Sequence, residues 1–87
     1  MNVGDNFFKS VANNTQNPAV DTVGVGGTVT WTFGDLAHNV DFQGTAGAPN
    51  GIGNTVNASI GRTFNNAGNF GYVCTLHSGM SGNVLVP

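Results

Sequence analysis

Charge is the scarcest thing in this sequence. Only 7% of its residues are Asp, Glu, Lys or Arg, against about 25% in an ordinary soluble domain. Lys9 and Arg62 are the sole cations, and the formal net charge is −2. Nucleic-acid binding needs a basic patch, which two isolated cations do not make. Long-range electrostatic steering toward any partner is weak for the same reason. Cys74 is the single cysteine, so an internal disulfide is excluded. No apolar run reaches the roughly 18 residues of a membrane-spanning helix. The start, MNVGDNFFKS, has neither the basic nor the apolar stretch of a signal peptide. It fits a cytoplasmic chain or a mature domain without its leader.

What is present points to strands. The chain has 87 residues, 39% of them hydrophobic, which predicts one small domain spanning 1–87. Such a chain buries only about 60% of its unfolded surface, so a staple would help, and without a disulfide a metal is the remaining one. Alternation with a period of two dominates. In TVTWTF, Val29, Trp31 and Phe33 face one way and Thr28, Thr30 and Thr32 the other. GVGG (24–27) reads as a turn between this strand and AVDTV. HNVDF puts His38, Val40 and Phe42 on one face. TVNASIGRTF puts Val56, Ala58, Ile60 and Phe64 on one parity, with Arg62 an awkward member. NFGYVCTL aligns Phe70, Tyr72 and Cys74, NVLVP is a last strand, and NVGDNFFK is read as the first. ANNTQNP, GTAGAPNGIGN and NNAG are loop chemistry. Short strands at this spacing make a β-sandwich or barrel.

The unusual stretch is YVCTLHSGM, 72–80. It holds the only cysteine, one of two histidines and the only methionine besides Met1, spaced by three. Along a continuing strand, positions three apart face opposite ways. A loop can bring Cys74, His77 and Met80 together. Thiolate and thioether are soft donors and imidazole is borderline, a set that suits copper better than hard cations. Zinc takes Cys and His, but a thioether is a poor zinc ligand. A blue-copper centre takes two imidazoles, one thiolate and a weak axial methionine. His38, the other histidine, completes that set if its strand lies beside the one ending at Cys74.

With these residues the chain resembles the cupredoxins, small blue-copper proteins of the plastocyanin and amicyanin group. The likeness runs through VGDNFF, VDTVGVGGTVTWTF, AHNV and FNNAGNFGYVCTLHSGMSGNVLV. The short Cys-x-x-His-x-x-Met loop is most like that of amicyanin. The resemblance implies an all-β, Greek-key β-sandwich of about seven to eight strands. It implies one copper ion cycling between Cu(I) and Cu(II) on His38, Cys74, His77 and Met80. The Ala37 carbonyl would lie near the opposite axial side. Asn39 would hydrogen-bond near Thr75 and the Cys74 sulfur, tying the two ligand-bearing segments together. It also implies a monomeric electron shuttle, not an enzyme, working in the periplasm or elsewhere outside the cytoplasm, on its own or as a domain of a membrane-anchored protein. Its partners would be a cytochrome or another redox protein, docking on a patch of Leu36, Ala37, His77, Ser78 and Gly79.

Other readings of the same residues are weaker. Cys–His protease chemistry needs a cleft and an orienting Asn or Asp. Asp5, Asp21, Asp35 and Asp41 are scattered, without the spacing of a catalytic carboxylate pair. NNT (13–15) and NAS (57–59) match the glycosylation acceptor pattern, which matters only in a suitable secretory pathway. Trp31 and the phenylalanines alternate with threonine and read as core. The competing function is a copper carrier or storage domain without an electron-transfer role.

Overall fold

The computed structural model describes residues 1–4 and 7–87. Among them nine strands occur and no helix: β1 (Asn2–Gly4), β2 (Phe7–Lys9), β3 (Ala19–Thr22), β4 (Gly27–Phe33), β5 (His38–Val40), β6 (Ile52–Thr55), β7 (Ser59–Phe64), β8 (Gly68–Val73) and β9 (Ser81–Val86). One sheet has the order β2-β1-β4-β7, a second β3-β9-β8, and β5 pairs with β6. Asp41 and Val73 exchange backbone hydrogen bonds of 2.9 and 3.0 Å, which attaches the β5–β6 pair to the free side of β8. The result is a β-sandwich of mixed sheets, one of the two architectures that the alternating pattern allows.

β4 shows how the pattern produces the layers. Val29, Trp31 and Phe33 are buried while the threonines between them are exposed. Those threonines pair across the outer face, Thr28 with Thr63 at 3.0 Å and Thr32 with Ser59 at 3.2 Å. Inside, Trp31 meets Tyr72 of the facing sheet edge-on, centroids 5.3 Å apart, and Tyr72 meets Phe8 in the same way at 4.9 Å. Tyr72 lies over Gly82 of β9, where a Cβ would run into the ring. The NNT tripeptide serves the fold: Asn13 Nδ2 donates to the Val20 carbonyl at 2.7 Å and its Oδ1 accepts from Thr15, covering the outer edge of β3.

Three expectations change. Residues 2–4 and 7–9 are two antiparallel strands rather than one, with Val3 opposite Phe8; Asp5 lies outside the described residues. β6 emerges from the end of the segment read as a loop, and the run 55–64 is not one strand. The chain turns at Asn57, whose φ is +49°, and β7 starts at Ser59. Val56 and Ala58, inward by parity, are exposed, because a turn resets the alternation that parity assumes. The awkward Arg62 is also explained. Its guanidinium reaches back to the carbonyls of Asn50, Gly51 and Gly61 at 2.9–3.0 Å, so one cation gathers three acceptors and pins the entry to β6.

Burial raises the Tyr72 phenol well above its ordinary value of 10.0, and the Asp21 carboxylate adds to the rise. In the unfolded chain the phenol ionises from about pH 10 upward, whereas the fold keeps it protonated. This contribution to stability is therefore complete below about pH 10 and lost as the pH climbs beyond it. Tyr72→Phe is expected to flatten that alkaline decline in thermal melts. An equally steep decline in the variant would assign the loss to another group.

Candidate metal centre

The connection between β8 and β9 is residues 74–80. Its two ends are held by strand pairing, since Val73 stands opposite Ser81 and the Cys74 N–H donates to the Met80 carbonyl at 3.1 Å. Gly79, at φ +80°, takes the backbone through the left-handed region that a side chain disfavours. A loop closed this tightly turns residues three apart toward one point. Cys74 and Met80 are buried, 3% and 1% exposed; His77 is half-buried.

His38 arrives from β5. It is 1% exposed, and it comes beside the loop because the Asp41–Val73 bridge docks β5 on β8. His38 Nδ1 lies 3.2 Å from His77 Nδ1, and Cys74 Sγ lies 3.8 Å from each. A triangle with these sides has its centre about 2.1 Å from every corner, the length of a metal–nitrogen bond and close to that of a metal–sulfur bond. The three donors thus fit one transition-metal ion in a trigonal plane. They are one thiol and two imidazoles, the soft and borderline mixture that excludes calcium or magnesium chemistry. Met80 follows at the base of the loop, its side chain within the buried cluster.

The outer residues fall into a row. Asn39 of β5 is bonded on one side to Asn54 of β6 and on the other to Thr75 of the loop. Its Oδ1 accepts from the Thr75 N–H at 2.9 Å, and its Nδ2 donates to Thr75 Oγ1 at 2.7 Å and to Asn54 Oδ1 at 3.0 Å. Two bonds thereby join the His38 strand to the residue after Cys74. Ala37, Leu36, Ser78 and Gly79 are all exposed around this end of the sandwich.

Three residues at this end escaped the sequence reading. Leu76 and Val56 are each about half exposed. Val56 comes here because Asn57 N–H bonds to the Gly34 carbonyl and Phe33 N–H to the Ala58 carbonyl, laying 56–58 beside the loop before His38. Leu76 had a signal available, its place inside the ligand loop; Val56 was hidden by the misplaced strand. Asn54 sat in a segment read as loop, so nothing in the sequence linked it to Asn39.

No protein-family model matches the chain, and no curated protein does. Solved structures do. A methionine variant of amicyanin in its Cu(I) form is 34% identical over 80% of this chain and 70% of its own, with a TM-score of 0.69. A purple cupredoxin from Nitrosopumilus maritimus is 26% identical over 88% of this chain and 86% of its own, TM-score 0.64. A copper-containing nitrite reductase from Thermus scotoductus SA-01 shares the fold at 24% identity and TM-score 0.67, but this chain spans only 19% of it.

Proposed function

The chain belongs to the cupredoxin family, and from that premise we propose that it carries single electrons between redox proteins through one copper ion held by His38, Cys74, His77 and Met80. The donor triangle carries the reading. It presents two imidazole nitrogens and one sulfur at bonding distance from a common centre. Copper bound there supplies a one-electron couple between Cu(I) and Cu(II).

The protein's own part is to hold the donors still. Strand pairing fixes both ends of the ligand loop, and the Asn39–Thr75 bonds lock it to the strand of His38. Donors that keep their places in both oxidation states leave little to reorganise when an electron moves. Burial of Cys74, His38 and Met80 keeps water from the thiolate. His77 alone among the four is half-buried, so its ring is the route to the surface. Around it Leu36, Ala37, Ser78 and Gly79, extended by Leu76 and Val56, form the face on which a cytochrome or other redox protein docks. In this reading residues 1–87 are one domain, a monomer that turns over no substrate and works outside the cytoplasm. Among the described residues no helix is long and apolar enough to cross a membrane.

Voltammetry of the copper-loaded protein tests this. A shuttle gives a reversible one-electron wave and retains its metal through repeated cycles. Loss of copper on reduction would favour the carrier or storage reading. Because the chain has so few charges, transfer rates to a protein partner should respond weakly to added salt; a steep fall would contradict docking on this face.

A further inference from the structure

Asn54 offers no metal-binding chemistry, yet it ends the polar row that crosses the ligand-bearing strands. Asn39 is buried, 9% exposed. The Thr75 N–H can only donate, so Asn39 must turn its Oδ1 toward it, as it does at 2.9 Å. That choice points Nδ2 with its two protons the other way round. One proton goes to Thr75 Oγ1 at 2.7 Å; the other goes to Asn54 Oδ1 at 3.0 Å. Without Asn54 the second proton of a buried amide loses its protein acceptor, and the amide gains a reason to rotate away from Thr75.

We propose that Asn54 is a positioning residue for the metal centre: by accepting from Asn39 it keeps that amide bridged to Thr75, and so holds the Cys74 loop in register with His38. The geometry makes the link direct. β6 pairs with β5 at His38–Thr55 and at Val40–Ile52, and the register shifts between these two pairs; at that irregularity the Asn54 side chain meets Asn39. The Asp41–Val73 bridge puts Thr75 opposite Asn39 on the other side. A row of three hydrogen-bonded residues therefore runs Asn54, Asn39, Thr75 across the strands. The entry to β6 is anchored separately, by Arg62 on the Asn50 and Gly51 carbonyls, so Asn54 belongs to a strand that is itself held. The spectroscopic half of this inference rests on the copper reading; the hydrogen-bonded row does not.

Two variants separate the role from general stability. Asn54→Ala removes the acceptor; Asn54→Asp keeps an acceptor oxygen. In the metal-free protein, NMR hydrogen exchange should show the Thr75 amide opening about tenfold faster in Asn54→Ala, the factor for one lost hydrogen bond. Asn54→Asp should restore protection, and the amide of Val84 in β9 should not change in either. In the copper-loaded protein, Asn54→Ala should shift the thiolate-to-copper absorption and the reduction potential. Unchanged Thr75 exchange in Asn54→Ala overturns the proposal. So does an acceleration shared equally by Val84, which would mark a residue of general stability. Faster Thr75 exchange with an unmoved copper spectrum overturns the positioning role. A wild-type chain that takes up no copper sinks the copper reading instead, and the metal-free exchange rates still decide the row.

Discussion

Cys74→Ser is expected to abolish the intense visible absorption that wild-type protein develops with one equivalent of Cu(II). That absorption arises from thiolate-to-copper charge transfer, and Cys74 is the only thiol. Serine offers a hard hydroxyl that stays protonated at neutral pH, so the centre loses its one anionic donor and its softest one. Removing one partner of a buried charge pair costs about 3–5 kcal/mol, so copper affinity should fall on the order of a thousandfold. Competition against a chelator reads that loss. The fold should survive, because the substitution changes a single side-chain atom and leaves the strand pairing that closes the loop untouched. Far-ultraviolet circular dichroism separates loss of the site from loss of the fold. A variant that kept the absorption would remove Cys74 from the centre.

The second large effect is on stability. Trp31 is 0% exposed and stands at the middle of the core, edge-on to Tyr72 at 5.3 Å and to Phe42 at 6.2 Å. Truncating such a residue to alanine costs about 3–5 kcal/mol through lost burial and the cavity left behind. A small domain has only about 5–15 kcal/mol in total, so metal-free Trp31→Ala should lose a large share of its stability. Metal binding pulls against this. At a free concentration near a thousand times the dissociation constant, a ligand specific for the folded state returns about 4 kcal/mol. Urea titrations should therefore show a large loss in the metal-free variant and a substantial recovery with Cu(I). Trp31→Phe, which keeps most of the volume, should cost less. If Trp31→Ala unfolds at the wild-type urea concentration, the core is not centred where the structure places it.

Both predictions start from features visible before folding, and they mark where legibility ended. β4 was readable because Val, Trp and Phe alternate with threonine over six positions without interruption. β8 was readable through Phe70 and Tyr72, two positions apart and both buried. β6 was not: Ile52-Gly53-Asn54-Thr55 carries turn residues in its middle, and its strand character comes from pairing with β5, which local composition does not encode. The misassigned Val56 follows from that error, since parity counted through an unseen turn puts a surface residue inside. Arg62 looked anomalous for as long as its acceptors, the carbonyls of Asn50 and Gly51, were unknown.

The sequence by itself determined the class of fold and the chemical kind of centre. Alternation over short runs allows only layered strands, and a lone cysteine, two histidines and one internal methionine leave few donor sets to choose from. Only the tertiary structure decided that His38 and His77, 39 residues apart, bring their Nδ1 atoms within 3.2 Å. It alone showed that Asn54 completes the row through Asn39 to Thr75. The physical reason is the same in both cases. Donor type is a property of each residue, but the distance between two donors is set by strand order and register, which depend on the packing of the whole chain.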